Sequence, residues 1–303
     1  MRKILVSVAA AGLLLAACAQ DEPVVTGDGG ETESPVVDSC ATENLNLLTP
    51  GTLTIGTDNP AFPPYFSGGE TDEHDWKFND PYTGKGFESA VAYEVAERLG
   101  FSADQVVWTV APFNQTYKPG PKDYDFAIEQ ISYSDKRAEA VDFSESYYDV
   151  NQALVAVKGT PITTATSIDE LKDYVLAAPI GTTSYDYIVE TIVPAKEPGA
   201  FTTLADTVAA LNAGQVDGIM VDFPTAVYLA DPFVQEVKNG VVVGQFETAV
   251  AGEYFGMTFE KGNTLVACVN QALGEMKSDG TLAATEQEWL SEKTNVGEVP
   301  VLG

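Results

Sequence analysis

Short apolar segments with the pattern of β-strands alternate with helix-like segments along this chain from Thr52 onward. The strand-like segments include TLTIGT at 52–57, VVWTV at 106–110 and GIMV at 218–221, and residues 87–99 place apolar side chains at helical spacing. This order is typical of α/β domains, in which helices flank a sheet. About 260 residues follow position 39, which is more than one hydrophobic core usually serves, so the sequence predicts two lobes.

The chain begins with Met1-Arg2-Lys3, continues with an apolar run over 4–17, and reaches Cys18 after two alanines. This is the pattern of a secretory signal, and the run is too short to span a membrane. Leu-Ala-Ala-Cys resembles a bacterial lipobox, which implies a signal peptide over 1–17 and lipidation of Cys18 at the extracellular face of the cell membrane. The alternative is a plain signal peptide with an incidental cysteine. Residues 18–39 are polar and small, which predicts a flexible tether.

The composition excludes several classes of function. There are 45 acidic and 16 basic side chains, a net charge of −29, which argues against binding to nucleic acid. His74 is the only histidine, so neither a histidine-based metal site nor a Ser-His-Asp triad can be built. It lies in an acidic insertion over 67–85, where we expect a solvated loop residue. No metal or cofactor is expected.

Cys40 and Cys268 are the thiols that remain in the exported chain. A disulfide between them is the default expectation in an oxidising compartment. It would join the start of the folded region to a segment near its end. The alternative is two buried free cysteines.

The stretch YDFAIEQISYSDKRAEAVDFSESYYD at 124–149 contains a short strand, a polar turn and a helix opened by Ser134 and Asp135. Arg137 would lie in the first turn of that helix, where the helix dipole favours anions rather than cations. Beside a strand end and a hydroxyl-rich turn, it is suited to bind a carboxylate with two hydrogen bonds. The alternative is a surface arginine paired with Asp135 or Asp142.

Two further strand ends carry candidate ligand groups. The sequence Gly-Thr-Thr-Ser-Tyr at 181–185 follows a strand and precedes a helix, so its free N–H groups could bind an anion. Asp222 follows the apolar strand at 218–221 and precedes another helix. A carboxylate there is either the N-cap of the helix or a ligand for a cation.

These motifs, in this order, resemble one protein family. GTD followed by Phe-Pro-Pro, then GFE at the start of a helix, then DFAI, ISYSDKR, VDFS and a Tyr pair are similar to the extracellular solute-binding proteins of family 3. Those are the receptors of ABC importers for polar amino acids, and the resemblance covers about 52–290. It departs at Ala90, where the family usually has an acid, and at Glu129 and Gln130, where it has small residues.

The resemblance implies a two-lobed α/β fold of the periplasmic-binding-protein type II, with two hinge strands. One hinge strand would be 151–157 and the other 246–258. The first lobe would comprise 40–153 and 249–303, and the second lobe 154–248. The chain would act as a monomer that closes over its ligand and delivers it to a membrane permease.

The ligand of such a receptor carries a carboxylate and an ammonium group on one carbon. Arg137, Ser132, Thr182 and Thr183 would bind the carboxylate, and by resemblance Asp222 would bind the ammonium. The side chain of the ligand would meet a separate set, which consists of Asp58, Phe62, Phe113, Glu129, Gln130 and in addition Glu88.

The nature of the ligand side chain depends on two carboxylates. Asp58 and Glu129 together favour a cationic or amide group, because unpaired buried carboxylates are costly. Equally, Asp58 could cap the turn through Asn59 and Glu129 could pair with Lys136. A polar amino acid, basic ones included, is therefore the expected substrate.

Two other functions compete with this hypothesis. One is a secreted dehydratase-like enzyme on the same fold, with Glu129 or Glu88 as general acid or base. The other is a lipid-anchored sensor that presents its ligand-bound form to a signalling partner. No nucleophile or cofactor motif supports the enzyme, and the sequence does not separate the sensor from the transport protein.

Overall fold

The computed structural model describes residues 39–249, 251–291 and 299–303. The predicted signal peptide, Cys18 and all of the predicted tether but Ser39 lie outside the described residues. No helix within the described ranges is long and apolar enough to cross a membrane.

Strands and helices alternate along the described chain, as the sequence predicts. The strands are β1 Leu53–Thr57, β2 Val106–Val110, β3 Phe126–Ala127, β4 Asp142–Phe143, β5 Tyr148–Asp149, β6 Gln152–Val157, β7 Leu176–Pro179, β8 Gly199–Phe201, β9 Gly218–Asp222, β10 Gly240–Phe246, β11 Tyr254–Phe255 and β12 Thr258–Phe259. The helices are α1 Phe87–Arg98, α2 Phe113–Thr116, α3 Asp135–Ala138, α4 Ile168–Leu171, α5 Thr183–Tyr187, α6 Leu204–Asn212, α7 Phe223–Ala230, α8 Leu265–Asp279 and α9 Thr281–Glu286.

These strands form two five-stranded sheets. The first has the order β2-β1-β3-β12-β4, and β1 runs parallel to both β2 and β3. The second has the order β10-β6-β9-β7-β8, and β7 runs parallel to both β8 and β9. In such sheets, ligands bind outside the carboxyl ends of the parallel strands.

The chain passes between the two sheets twice. It leaves the first sheet after β4, passes through β5 and enters the second sheet at β6, and it returns through the segment between β10 and β11. β5 and β11 pair with each other in an antiparallel ribbon. The lobe boundaries predicted from the sequence stay a prediction.

Each sheet has its own buried apolar side chains. In the first, Phe87 and Val91 of α1 pack with Ile55 of β1, Phe126 of β3 and Leu273 of α8. Two clusters cover the two faces of the second sheet, because the side chains of β6 point alternately to either side.

The predicted disulfide between Cys40 and Cys268 is confirmed, with the two Cα atoms 5.4 Å apart. It attaches the segment that precedes β1 to α8, so both ends of the first sheet's chain are held together.

Two sequence-based expectations for local structure are wrong. Residues 246–258 do not form one hinge strand, because β10 ends at Phe246 and a loop precedes β11. Val301 pairs with Gln245 of the second sheet, so the end of the chain does not lie with the first.

Candidate functional site

Arg137 lies at the carboxyl ends of the strands of the first sheet and reaches toward the second. Ser134 caps its short helix α3 by accepting from the Arg137 N–H. The guanidinium donates to the carbonyl oxygen of Ser132 at 2.7 Å through Nη1 and to that of Gly181 at 2.9 Å through Nη2. Arg137 is 8% exposed, and burial lowers its pKa. Since Gly181 follows β7, the second of these bonds joins the two sheets.

The alternative interpretation of Arg137 as a paired surface residue is wrong. Asp142 forms an ion pair with Lys261 at 2.8 Å, and Asp135 accepts from the Tyr133 hydroxyl at 3.0 Å. The hydrogen bonds that Arg137 donates go to carbonyl oxygens, which leaves its positive charge available to an anion.

Two aromatic rings cover the guanidinium. Its Cζ atom lies 5.5 Å from the ring centre of Phe113 and 4.4 Å from that of Tyr117. The Tyr117 hydroxyl also reaches the Gly181 carbonyl at 3.5 Å. The sequence predicted Phe113 for the site and missed Tyr117, although a spacing of four residues in one helical turn could have indicated it.

The predicted hydroxyl groups divide into two kinds. Ser132 is buried, and its Oγ lies 3.3 Å from Oγ1 of Thr183, so these two meet between the sheets. Thr182 accepts from the Tyr185 N–H at 3.1 Å and donates to the Pro179 carbonyl at 2.7 Å. The side chain of Thr182 is therefore committed to capping α5.

Asp222 stands at the end of β9, where its side chain makes no capping bond to α7. Its Oδ1 accepts from the amide of Gln152 at 2.8 Å, and the same amide donates to Glu253 at 3.1 Å. Burial and then the charge of Glu253 raise the pKa of Asp222, while the hydrogen bond from Gln152 and the charge of Arg137 lower it, and the resulting pKa is about 7. Gln152 and Glu253 were not predicted from the sequence. A glutamine at the start of the otherwise apolar strand β6 could have indicated Gln152.

Gln130 contacts Glu88. Its backbone is in the left-handed region, with φ of 46°, and its N–H donates to Glu88 Oε1 at 2.6 Å. The Gln130 amide donates to the other carboxylate oxygen, and the Tyr147 hydroxyl donates to Oε1 at 2.5 Å. Burial raises the pKa of Glu88 to about 7, although these donors lower it. The predicted contact of Gln130 with a ligand therefore competes with its bonds to Glu88.

Asp58 and Glu129 lie next to each other. Asp58 accepts from the Asn59 N–H at 2.8 Å, as in the capped turn considered from the sequence. Glu129 forms no ion pair with Lys136 among the described residues, and the negative charge of Asp58 acts on it instead. Burial, and then the charge of Asp58, raises the pKa of Glu129 well above its usual range.

One expectation for the segment around the insertion needs correction. Phe62 is 39% exposed and packs on Phe78 at 5.6 Å between ring centres, and its contact with a ligand stays a prediction. His74 is half-buried rather than solvated. It bonds to Asp80 at 2.8 Å and stacks on Tyr82 with 3.8 Å between ring centres. Among the residues described, no group of His, Cys, Asp and Glu is arranged to hold a metal ion.

The arrangement brings a fixed cation and a fixed anion together from different sheets. Arg137 belongs to the first sheet's side and Asp222 to the second, and their charges act on each other. A small zwitterion between them would satisfy both charges. A further contact between the two sides joins the hydroxyl of Tyr65 to that of Thr225 at 3.0 Å.

Comparisons with known proteins agree with this geometry. Residues 53–292 match the bacterial extracellular solute-binding proteins, family 3. The chain is 28% identical over 247 residues to the L-cystine-binding protein TcyJ of Escherichia coli (strain K12), covering 79% of this chain and 82% of that protein. It is 25% identical to the lysine/arginine/ornithine-binding periplasmic protein of the same strain, covering 65% of this chain and 75% of that one.

One solved structure extends the similarity to the fold. An ancestral arginine-binding protein bound to arginine superimposes with a TM-score of 0.62 at 27% identity, covering 79% of this chain and 98% of that chain. The described residues therefore have the two-lobed α/β fold of type II that the sequence predicted.

Proposed function

Because the chain belongs to the bacterial extracellular solute-binding proteins of family 3, we propose that it captures one polar amino acid between its lobes and presents it to an ABC permease. The observation that carries this proposal is the meeting of Arg137 with the Gly181 carbonyl at 2.9 Å, next to Asp222. Binding groups of opposite charge on opposite lobes let one zwitterion hold both lobes together.

The α-carboxylate would bind to the remaining N–H groups of Arg137, with the hydroxyls of Ser132 and Thr183 beside it. The guanidinium has five donors, and two of them are used by carbonyls. The α-ammonium would bind to Asp222 in the place where the Gln152 amide now donates. The role of Thr182 is indirect, since it caps the helix that carries Thr183.

The proposal predicts which amino acids stabilise the protein. A ligand at a hundredfold its dissociation constant should add about 2.7 kcal/mol to the free energy of unfolding. We would screen all twenty amino acids by thermal shift and measure the affinity of any that stabilise by titration calorimetry.

Two variants test the binding groups and one serves as control. Arg137→Lys keeps the charge but loses the planar pair of donors, and Asp222→Asn keeps the shape but loses the charge. Each should weaken binding at least about tenfold. Lys136→Ala changes an exposed neighbour of Arg137 and should leave the affinity unchanged. Full affinity in both site variants would refute the assignment.

Membrane attachment and the partner need separate tests. We propose that Cys18 carries the lipid and that 18–39 tethers the protein to the extracellular face of the membrane as a monomer. Cys18→Ser should then release the protein into the medium. Loss of uptake of the bound amino acid in cells lacking the protein would support transport, and unchanged uptake would support the sensor.

The two relatives are amino-acid-binding proteins by name, and we infer that this chain is a binding protein rather than an enzyme.

A further inference from the structure

Resting on the amino-acid-binding function proposed above, we propose that the side-chain amide of Gln152 competes with the ligand's ammonium group for Asp222, and that Glu253 is a second carboxylate at the same position. An amino acid then binds by displacing the Gln152 amide from between the two carboxylates. This exchange makes the wild type bind its ligand more weakly than the acceptor groups alone would allow.

Gln152 is placed beside Asp222 by the register of the second sheet. β6 and β9 are antiparallel, and Gln152 lies directly opposite Asp222. Side chains of directly opposite residues lie close together on the same face of a sheet. Gln152 is the first residue of β6 and Asp222 is the last of β9, so the two side chains meet at one edge of the sheet.

Glu253 belongs to the segment that returns the chain from β10 to β11. Its N–H donates to the Thr248 carbonyl at 3.0 Å, and its own carbonyl accepts from the Val150 N–H at 3.3 Å. The backbone N–H of Gln152 donates to the Thr248 hydroxyl at 3.1 Å, so the start of β6 is bonded to the same segment. Glu253 is therefore held beside Gln152 by contacts between the two crossings.

Three acceptor atoms surround the amide nitrogen of Gln152. Oδ1 of Asp222 lies at 2.8 Å, Oε1 of Glu253 at 3.1 Å and Oγ1 of Thr183 at 3.5 Å. An amide NH₂ group has two hydrogen atoms and no charge, whereas a primary ammonium group has three hydrogen atoms and a positive charge. Since charge-assisted hydrogen bonds are the stronger ones, these acceptors match an ammonium group better than the amide that lies among them.

Displacing the amide has a cost, because Gln152 is buried and bonded at both ends of its amide group. Its Oε1 accepts from the Ser184 hydroxyl at 2.6 Å, while its nitrogen donates to the two carboxylates. A hydrogen bond to a charged group contributes more than one between neutral groups, so losing these bonds is unfavourable. Part of the free energy that the ligand's ammonium group gains is therefore spent on the displacement.

The charges of the two carboxylates favour the exchange. After burial, the charge of Glu253 is the largest cause that raises the pKa of Asp222. A neutral amide between the two carboxylates leaves their repulsion in place, whereas an ammonium group between them offsets it. Glu253 therefore strengthens the preference of this position for an ammonium group over the amide.

The test is to remove the competing amide. Leucine has no atom beyond the position of the glutamine Cδ, so Gln152→Leu leaves the place of the amide nitrogen free. The probe is whichever of the twenty amino acids and L-cystine binds the wild type most tightly in titration calorimetry. Its dissociation constant should fall at least about fivefold in the variant. The melting temperature without ligand should fall as well, because buried hydrogen bonds are lost, whereas a merely damaged protein would lose both affinity and stability.

Glu253→Gln tests the second carboxylate. It keeps the size of the side chain and removes the charge, and it should weaken the binding of the same amino acid at least about fivefold. Glu247→Gln removes a charge from an exposed position on the same segment and should leave the affinity within about twofold. Gln152→Ala also frees the place of the amide and replaces Gln152→Leu should that variant fail to fold.

The outcomes separate this inference from the general function. If the wild type binds an amino acid and the variant at position 152 binds it equally or more weakly, the amide does not compete with the ligand, and the inference is overturned while the general function stands. Unchanged affinity in Glu253→Gln overturns the assignment of the second carboxylate. If no amino acid binds to the wild type, the proposed function fails and the inference fails with it.

Discussion

Replacing Gly181 by alanine tests whether the lobes meet in the ligand-bound protein as they do in the structure. Gly181 has φ of +82°, and its carbonyl accepts from Arg137 and Tyr117 of the other lobe. A Cβ atom at this position would lie 3.1 Å from the Tyr117 hydroxyl oxygen. The substitution therefore has two effects, one on the backbone of the second lobe and one on the contact between lobes.

The effect on the backbone lowers the melting temperature, and the effect on the contact between lobes weakens ligand binding. The left-handed backbone costs roughly 1 kcal/mol with any Cβ atom, whether the lobes are open or closed, which lowers the melting temperature by about 2–4 °C. The crowding against Tyr117 exists only when the lobes touch. An overpacked contact of this size costs about 1 kcal/mol, so the dissociation constant of the ligand should rise about fivefold.

A double-mutant cycle separates these effects. Tyr117→Phe removes the hydroxyl that the new methyl group meets, so Gly181→Ala with Tyr117→Phe should recover the affinity but not the melting temperature. Gly159→Ala is the matched control. It has φ of +85° in the same lobe with open space around its Cβ position, and it should lower the melting temperature alone.

The assays are titration calorimetry for affinity and thermal unfolding without ligand. Unchanged affinity in Gly181→Ala would mean that the ligand-bound protein does not make this contact. Weakened affinity that Tyr117→Phe does not restore would mean that the loss comes from the backbone at α5 and not from the contact.

Further predictions concern covalent and ionisable groups. Changing both Cys40 and Cys268 to alanine opens a loop with a sequence separation of 228. Denaturant unfolding should show a loss of up to about 5 kcal/mol, and a loss under about 1 kcal/mol would contradict the chain-entropy argument. The pKa of Glu88 is raised from 4.5 to about 7, so its contribution to stability is present below pH 4.5 and is lost as the pH rises through 7. Glu88→Gln should remove that decline, worth about 3 kcal/mol between pH 4 and pH 8, and an unaltered stability profile would show that folding does not raise the pKa of Glu88. The pKa of Asp222 is about 7, and only its ionised form binds the ammonium group of an amino acid. The affinity should therefore decrease as the pH falls below 7, and the decrease should approach about tenfold for each pH unit. Asp222→Asn should abolish that dependence in calorimetry, and an equally steep profile in the variant would place the titrating group elsewhere.

The elements that the sequence predicts well are those with a clear periodicity. The helix expected at 87–99 ends at Arg98, and the strands expected at 52–57 and 218–221 differ from β1 and β9 by one residue. The apolar spacing of the helix predicts its buried side, whereas β1 and β9 are buried on both faces. The segment after Phe246 was predicted wrongly because its aromatic residues belong to the short ribbon strand β11, which a loop separates from β10.

The sequence predicts which residues belong to the site, but it does not predict the contacts between them. Arg137 and Asp222 stand at strand ends, which is readable from the order of strands and helices. The bonds of Gln130 to Glu88 depend on a backbone φ of 46° in a glutamine, which no propensity favours. The contact of Asp58 with Glu129 depends on the register between β1 and β3, and a single sequence does not fix that register.

The closing of the lobes and the charges within the cleft are coupled. Burial raises the pKa of Asp222 and lowers that of Arg137, so in both cases the charged form is less stable at its buried position between the lobes than in water. In the empty protein this cost opposes closure. A net opposition of about 3 kcal/mol would keep more than 99% of the empty molecules open. An amino acid that places its ammonium beside Asp222 and its carboxylate beside Arg137 offsets the cost at both positions. Closure is then tied to occupancy by the charges themselves, so that a permease that binds the closed form binds the loaded protein.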